Sequence, residues 1–320
     1  MSGFRKRRKP PTAGTVKNTA PAVTHGIGIA SLSETASYFL ISVFTGLEKS
    51  DIIRFAFYSA FLVNKWGHKM SYRGICIGFV SGKGGTGKTC LLAGIAAALA
   101  KAGKRTLCVD CDTDFRNLDL VMGLTEQSLM DFSDVIAGRC TLEEAVTEHP
   151  AQRGLFLLNA PVRNRERVVG AEMNALAAHI RKRFDFCLMD APSGMGDGFA
   201  LVTAAADRIL LVAEMDPLSV RDAQRVAMEL DAFPSGAVRL VANRVRRPRF
   251  RRAEETIDDI MDRVGLPLMG LVPEDDAVLK ALKRGVPVTL LRPESAAARA
   301  CRDIARRVNG ETVPLPRAYR

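Results

Sequence analysis

No run among the 320 residues is apolar for long enough to cross a bilayer as a helix, which takes about 20 residues. Histidine is scarce: His25, His68, His149 and His179 stand apart and form no ligand-spaced group for a metal. The seven cysteines are odd in number and scattered, and Cys76, Cys90, Cys108 and Cys187 sit in apolar runs. Reduced, buried thiols are the economical expectation. Cys108-Val109-Asp110-Cys111 spells C-x-x-C, but at the end of a strand-like run, and no second pair completes a zinc site. No internal repeat is present.

A strong charge bias is also missing from most of the chain. The net is +11, yet residues 1–70 hold 10 Lys and Arg against 3 Asp and Glu. The remaining 250 residues carry only +4. A globally basic nucleic-acid binder is not indicated. One local exception is Asn243-Arg244-Val245-Arg246-Arg247-Pro248-Arg249-Phe250-Arg251-Arg252, six arginines in ten positions after an apolar strand. Three readings stay open for it: a solvated loop and helix start, an acidic-lipid contact, or a sequence-independent DNA contact.

Residues 1–69 read as an extension foreign to the rest. They open on Arg5-Lys6-Arg7-Arg8-Lys9-Pro10-Pro11 and hold two apolar runs and the sole tryptophan, Trp66. Two expectations compete. Either translation starts at Met70 and the stretch is disordered or mis-assigned, or it is a basic, aromatic membrane-surface segment.

Past Met70 the pattern is regular. Strand-like runs fall at Ile75–Val80, Thr106–Asp110, Leu155–Asn159, Phe186–Asp190, Arg208–Ala213, Val238–Ala242 and Leu268–Val272. Helix-like stretches separate them, among them Cys90–Ala102, Ala171–Arg183, Val220–Ala232, Ala253–Val264, Asp276–Arg284 and Ser295–Val308. Such alternation predicts an α/β fold with a doubly wound, mostly parallel sheet flanked by helices, ligands lying beyond the carboxyl ends of the strands.

The most informative stretch lies at the first such end: Gly82-Lys83-Gly84-Gly85-Thr86-Gly87-Lys88-Thr89. Strand, glycine loop and helix follow one another, which is the context the G-x-x-x-x-G-K-[ST] phosphate loop requires. Glycines let backbone N–H groups turn toward a polyphosphate, and the helix start adds its own unpaired N–H groups. Lys88 is expected against the β- and γ-phosphates of ATP, with the Thr89 hydroxyl on Mg²⁺. Asp190 ends an apolar strand, where a carboxylate can hold the same ion through its water shell. Cys90 stands where Thr or Ser is more usual, and a thiol is a weak partner for the α-phosphate.

The second lysine, Lys83, makes the loop similar to the deviant phosphate loop of the MinD/ParA family of ATPases. Resemblance extends over about residues 73–309, through Val109–Asp119, Met130–Gly138, Cys187–Gly194, Ser219–Ala223 and Leu271–Asp275, and is nearest the MinD branch. It implies a domain over residues 70–309 and a short tail over 310–320. In that family the early lysine reaches across a homodimer to the partner's phosphates, so Lys83, Lys88 and Asp112 are the expected catalytic set. Asp112 would position the attacking water, Asp110 would support the metal, and Asn117 would sense the nucleotide. Asn243 and Pro273 would face adenine. The function implied is an ATP-hydrolysing, dimerising switch that governs septum placement in cell division. Its expected partners are a division inhibitor of MinC type and a hydrolysis-stimulating regulator. The alternative is a ParA-type ATPase that binds DNA to position cargo. An iron–sulfur carrier ATPase would need a cysteine pair this chain does not offer convincingly, and a bacterial tyrosine kinase would need a tyrosine-rich tail. The expected location is the cytoplasm, with peripheral contact at the inner membrane face left open. In the tail, Pro314 and Pro316 and the lack of paired bulky apolar residues argue against the family's amphipathic membrane helix.

Overall fold

The computed structural model describes residues 74–125, 127, 129–161, 167–246 and 257–315. Met70, the upstream extension and Arg247–Arg252 lie outside the described residues. The eight strands are β1 (Ile75–Ser81), β2 (Thr106–Asp110), β3 (Thr147–Glu148), β4 (Leu155–Leu158), β5 (Phe186–Ser193), β6 (Arg208–Glu214), β7 (Val238–Val245) and β8 (Leu268–Pro273). They form one sheet in the order β3-β4-β2-β5-β1-β6-β7-β8. Every pairing is parallel except β3 with β4. The fold is the doubly wound one that the alternation predicts.

Central strands read as unbroken apolar runs because helices cover both of their faces. One layer holds α1 (Lys88–Lys101), α2 (Leu118–Met122), α9 (Asp276–Leu282), α10 (Val288–Leu291) and α11 (Ala296–Val308). The other holds α3 (Phe132–Ile136), α4 (Leu142–Ala145), α5 (Gly170–Ile180), α6 (Asp197–Ala205), α7 (Pro217–Glu229) and α8 (Ile257–Val264). Side chains alternate between these cores along β1: Ile77 and Phe79 face the first, Cys76 and Val80 the second.

Helix α1 is buried along most of its length, pressed between the sheet and the α10–α11 pair. Its small residues allow this: Thr289 Oγ1 donates to the Gly94 carbonyl at 2.9 Å. The alanine-rich face of α11 packs inward through Ala297, Ala298, Cys301, Ile304, Ala305 and Val308. At its end Arg307 donates to the Met269 carbonyl at the start of β8 and to the carbonyls of Val313 and Pro314, each at 3.0 Å. The first residues after α11 are thereby clasped to the base of the sheet.

Some elements differ from the expectation. Helix α6 and the two-residue edge strand β3 fall in stretches without strong periodicity, and α2 and α4 are too short to show one. All seven cysteines are free, with Cys108 fully buried in β2 and Cys111 fully buried just past its end.

Candidate functional site

The carboxyl ends of β1, β2, β5, β6 and β7 gather the groups singled out above. Gly82, Lys83, Gly84, Gly85, Thr86 and Gly87 form the arc between β1 and α1. Gly85 and Gly87 both take φ of 81°, a left-handed conformation that glycine adopts without the Cβ penalty. Gly87 is the residue before α1, so the loop delivers the first turn's unpaired N–H groups toward the concave side of the arc.

Two oxygens of one carboxylate organise the start of α1. Asp190 accepts from Lys88 Nζ through Oδ1 and from Thr89 Oγ1 through Oδ2, both at 2.6 Å. Lys88 and Asp190 are buried, and a buried lysine of this kind needs such a partner. Thr89 and Asp190 supply hard oxygens side by side, the donor chemistry Mg²⁺ prefers, and nucleotide phosphates can complete an octahedron. Among the described residues no group of three or more His, Cys, Asp and Glu could hold a metal, so the ion would need those phosphates. Donor set and loop fit a magnesium nucleotide.

Asp110 is fully buried at the end of β2, in register with Asp190 on β5. Burial first, and then the Asp190 charge, push its carboxyl up to about 7. Its oxygens accept from Asp112 N at 2.9 Å and Leu118 N at 3.0 Å. Asp110 is therefore an anchor for the 111–118 segment as well as a direct neighbour of Asp190. Asp112 Oδ1 accepts from Asp114 N and Phe115 N at 3.2 and 3.1 Å, so in this state it caps a turn. Asn117 is exposed at the start of α2 and its side chain makes no capping bond.

Lys83 has a different partner from Lys88. Its Nζ lies 3.6 Å from Asp216 Oδ2, with about two-fifths of each side chain exposed. Asp216 also caps α7, accepting from Leu218 N and Ser219 N at 3.1 Å. The Asp216-Pro217 pair carries the cap-then-proline mark of a helix start, a cue that could have singled it out.

Asn243 reaches across to the loop, Nδ2 donating to the Thr86 carbonyl at 2.7 Å. Pro273, paired with Val245, closes the same side. Cys90 follows Thr89; burial and Asp190 push its thiol up, against the charges of Arg244 and Lys88. Sequence reasoning placed Arg244 only in an arginine run. In the fold its Nη1 donates to Glu214 at 3.0 Å, on the lip of this site.

A P-loop on a doubly wound parallel sheet, with a lysine, threonine and aspartate bound to one another at its mouth, defines a nucleotide-binding protein of the P-loop class. Comparison with known proteins narrows the class. The chain belongs to the CobQ/CobB/MinD/ParA nucleotide-binding family, whose model it matches over residues 77–288. It is 35% identical to the septum site-determining protein MinD of Bacillus subtilis over 246 residues, 76% of this chain and 91% of that protein. It is similar to a MinC:MinD cell division protein complex from Aquifex aeolicus, with a TM-score of 0.70 and 33% identity over 76% of this chain and 99% of that one. The Pyrococcus horikoshii MinD complexed with Mg-ADP aligns with a TM-score of 0.64 and 27% identity, covering 74% of this chain and 96% of that one.

Proposed function

We propose that this chain is an ATP-driven dimerising switch of the MinD kind, which controls where the division septum forms. The observation that carries the reading is the division of labour between two lysines on one loop. Lys88 is buried and committed to its own site, while Lys83 stands at the rim on a weak tether. An exposed ion pair of that length is worth about 0–1 kcal/mol, so Asp216 can release Lys83 readily. A second subunit's phosphates would offer it a stronger, charge-assisted contact.

Within one subunit, Lys88 would take the β- and γ-phosphates and the first turn of α1 the phosphate oxygens. Thr89 and Asp190 would hold Mg²⁺, which when bound neutralises charge on those oxygens. Asp112 has both of its turn-capping bonds on Oδ1, leaving Oδ2 to orient a water toward the γ-phosphorus. Attack by that water releases phosphate and leaves ADP. Loss of the γ-phosphate removes what Lys83 holds in the partner, and the dimer parts. The loaded dimer would recruit a division inhibitor of MinC type, and a second regulator would hasten hydrolysis. We place the protein in the cytoplasm; no described helix is long and apolar enough to cross a membrane.

Light scattering of the full chain with Mg²⁺ and a non-hydrolysable ATP analogue tests this directly. Dimers are expected with the analogue and monomers with ADP. Lys83→Ala should abolish the dimer yet bind nucleotide, whereas Lys88→Ala should lose nucleotide itself. A monomer under saturating analogue sinks the proposal. Sedimentation with acidic vesicles and, separately, with random DNA then distinguishes membrane from nucleoid as the surface.

A further inference from the structure

Asn243 and Arg244 are adjacent, and in a regular strand adjacent side chains face opposite sides of the sheet. In β7 they converge. Ala242 pairs with Leu271 and Val245 with Pro273, so three steps along β7 answer two along β8. One residue is extra, which is a β-bulge, the device by which strands re-aim side chains. Arg244 takes φ of 53°, a left-handed conformation that a residue with a side chain rarely holds. As a result both side chains come to the same point of the phosphate loop. A Cβ added at Gly87 would lie 2.6 Å from Asn243 Nδ2 and 4.0 Å from Arg244 Nε.

Glu214 completes the arrangement. It pairs with Asn243 in the β6–β7 register and its carboxylate accepts from the Arg244 guanidinium. The cation is thus held beside the first turn of α1, where its charge reaches Cys90. Cys90 is also where the chain is short of a donor, because a thiol hydrogen-bonds weakly.

We propose that Arg244 is a nucleotide-binding residue whose guanidinium contacts the α-phosphate, supplying at that position the donor that Cys90 does not. A guanidinium is well matched to a phosphate, since it stays charged and offers several N–H groups in a fixed plane. Glu214 is its positioning residue. The inference rests on the nucleotide-switch reading and adds a binding residue to it. Since the α-phosphate is common to ADP and ATP, Arg244 differs from Lys83 in serving both states alike.

The test uses the full chain with fluorescent ADP and a fluorescent non-hydrolysable ATP analogue, each with Mg²⁺. Arg244→Ala should weaken both probes about tenfold, the loss of one charge-assisted contact. Arg244→Gly is the sharper variant, since glycine accepts the left-handed backbone and keeps the bulge. It should bind as weakly as the alanine variant while melting no lower than the native chain. Arg244→Lys should recover only part of the affinity. Native affinity for both probes in the glycine variant overturns the proposal. So does a loss confined to the ATP analogue, which would put the guanidinium at the γ-phosphate. Failure of the native chain to bind either probe overturns the nucleotide reading beneath it as well.

Discussion

Two residues with side chains hold left-handed backbone among those described, Arg116 at φ 42° and Arg244 at φ 53°, and both border the nucleotide site. Strain of this sort persists where neighbours fix it: Arg116 is tied to Asp119 and Arg244 to Glu214. The buried Lys88–Asp190 pair is the other residue-scale feature with a measurable energetic consequence. Asp190→Ala strands an ammonium in the interior and is expected to destabilise by about 3–5 kcal/mol in urea unfolding. Asn243→Ala leaves the Thr86 carbonyl without its donor and should cost about 1–3 kcal/mol in the same measurement. Lys88, Thr89 and Asp190 were legible in the sequence because chemistry and spacing name them. The bulge at Arg244 was not, since an extra residue at the end of a strand leaves no mark in the sequence.

At the scale of elements, α2 is the most exposed to perturbation. Only five residues long, it is held at its start by the Asp110 carboxylate on Leu118 N. Its end is held by Gly123, at φ 67°, where an added Cβ would run into the Gly285 carbonyl. Gly123→Ala is therefore expected to cost at least about 2 kcal/mol, combining left-handed strain with a backbone clash. His149 supports the same helix through a hydrogen bond to the Met122 backbone, while its Nδ1 accepts from Ala151 N at 3.2 Å. Burial holds its pKa below the ordinary 6.5, so the unfolded chain takes up the proton first as pH falls. This stability is present above about pH 6.5 and is lost as pH drops through the folded value. The contribution of His149 to the melting temperature should therefore decline as pH falls below 6.5, and His149→Asn should remove that part of the slope of melting temperature against pH. The parallel strands were legible here, whereas α2, α4 and the edge strand β3 were not. A buried parallel strand announces itself as a run of Val, Leu and Ile such as Arg208–Ala213, whereas α2 and α4 exist by capping and tertiary contact.

Across the whole molecule, the candidate nucleotide site and the fold share groups, because Thr86, Lys88, Asp110, Asp190 and most of α1 are buried. Mg-ADP at a hundredfold excess over its Kd should add about 2.7 kcal/mol and raise the melting temperature by about 5–10 °C. Lys88→Ala should show no such rise in a thermal melt. Architecture was readable from the alternation of runs, because covering a parallel sheet on both faces leaves few other solutions. The second lysine's surroundings were not readable: only the folded chain brings Asp216, more than a hundred residues away, to Lys83.

The clasp that Arg307 makes on Val313 and Pro314 anchors them beside Met269, where β8 begins. Val313 and Pro314 are consequently held at the end of the sheet opposite the phosphate loop. A fluorescent protein joined directly to Leu315 would therefore be tethered at the end of the sheet remote from Gly82–Thr89, and the dimerisation assay proposed above could be run on such a fusion.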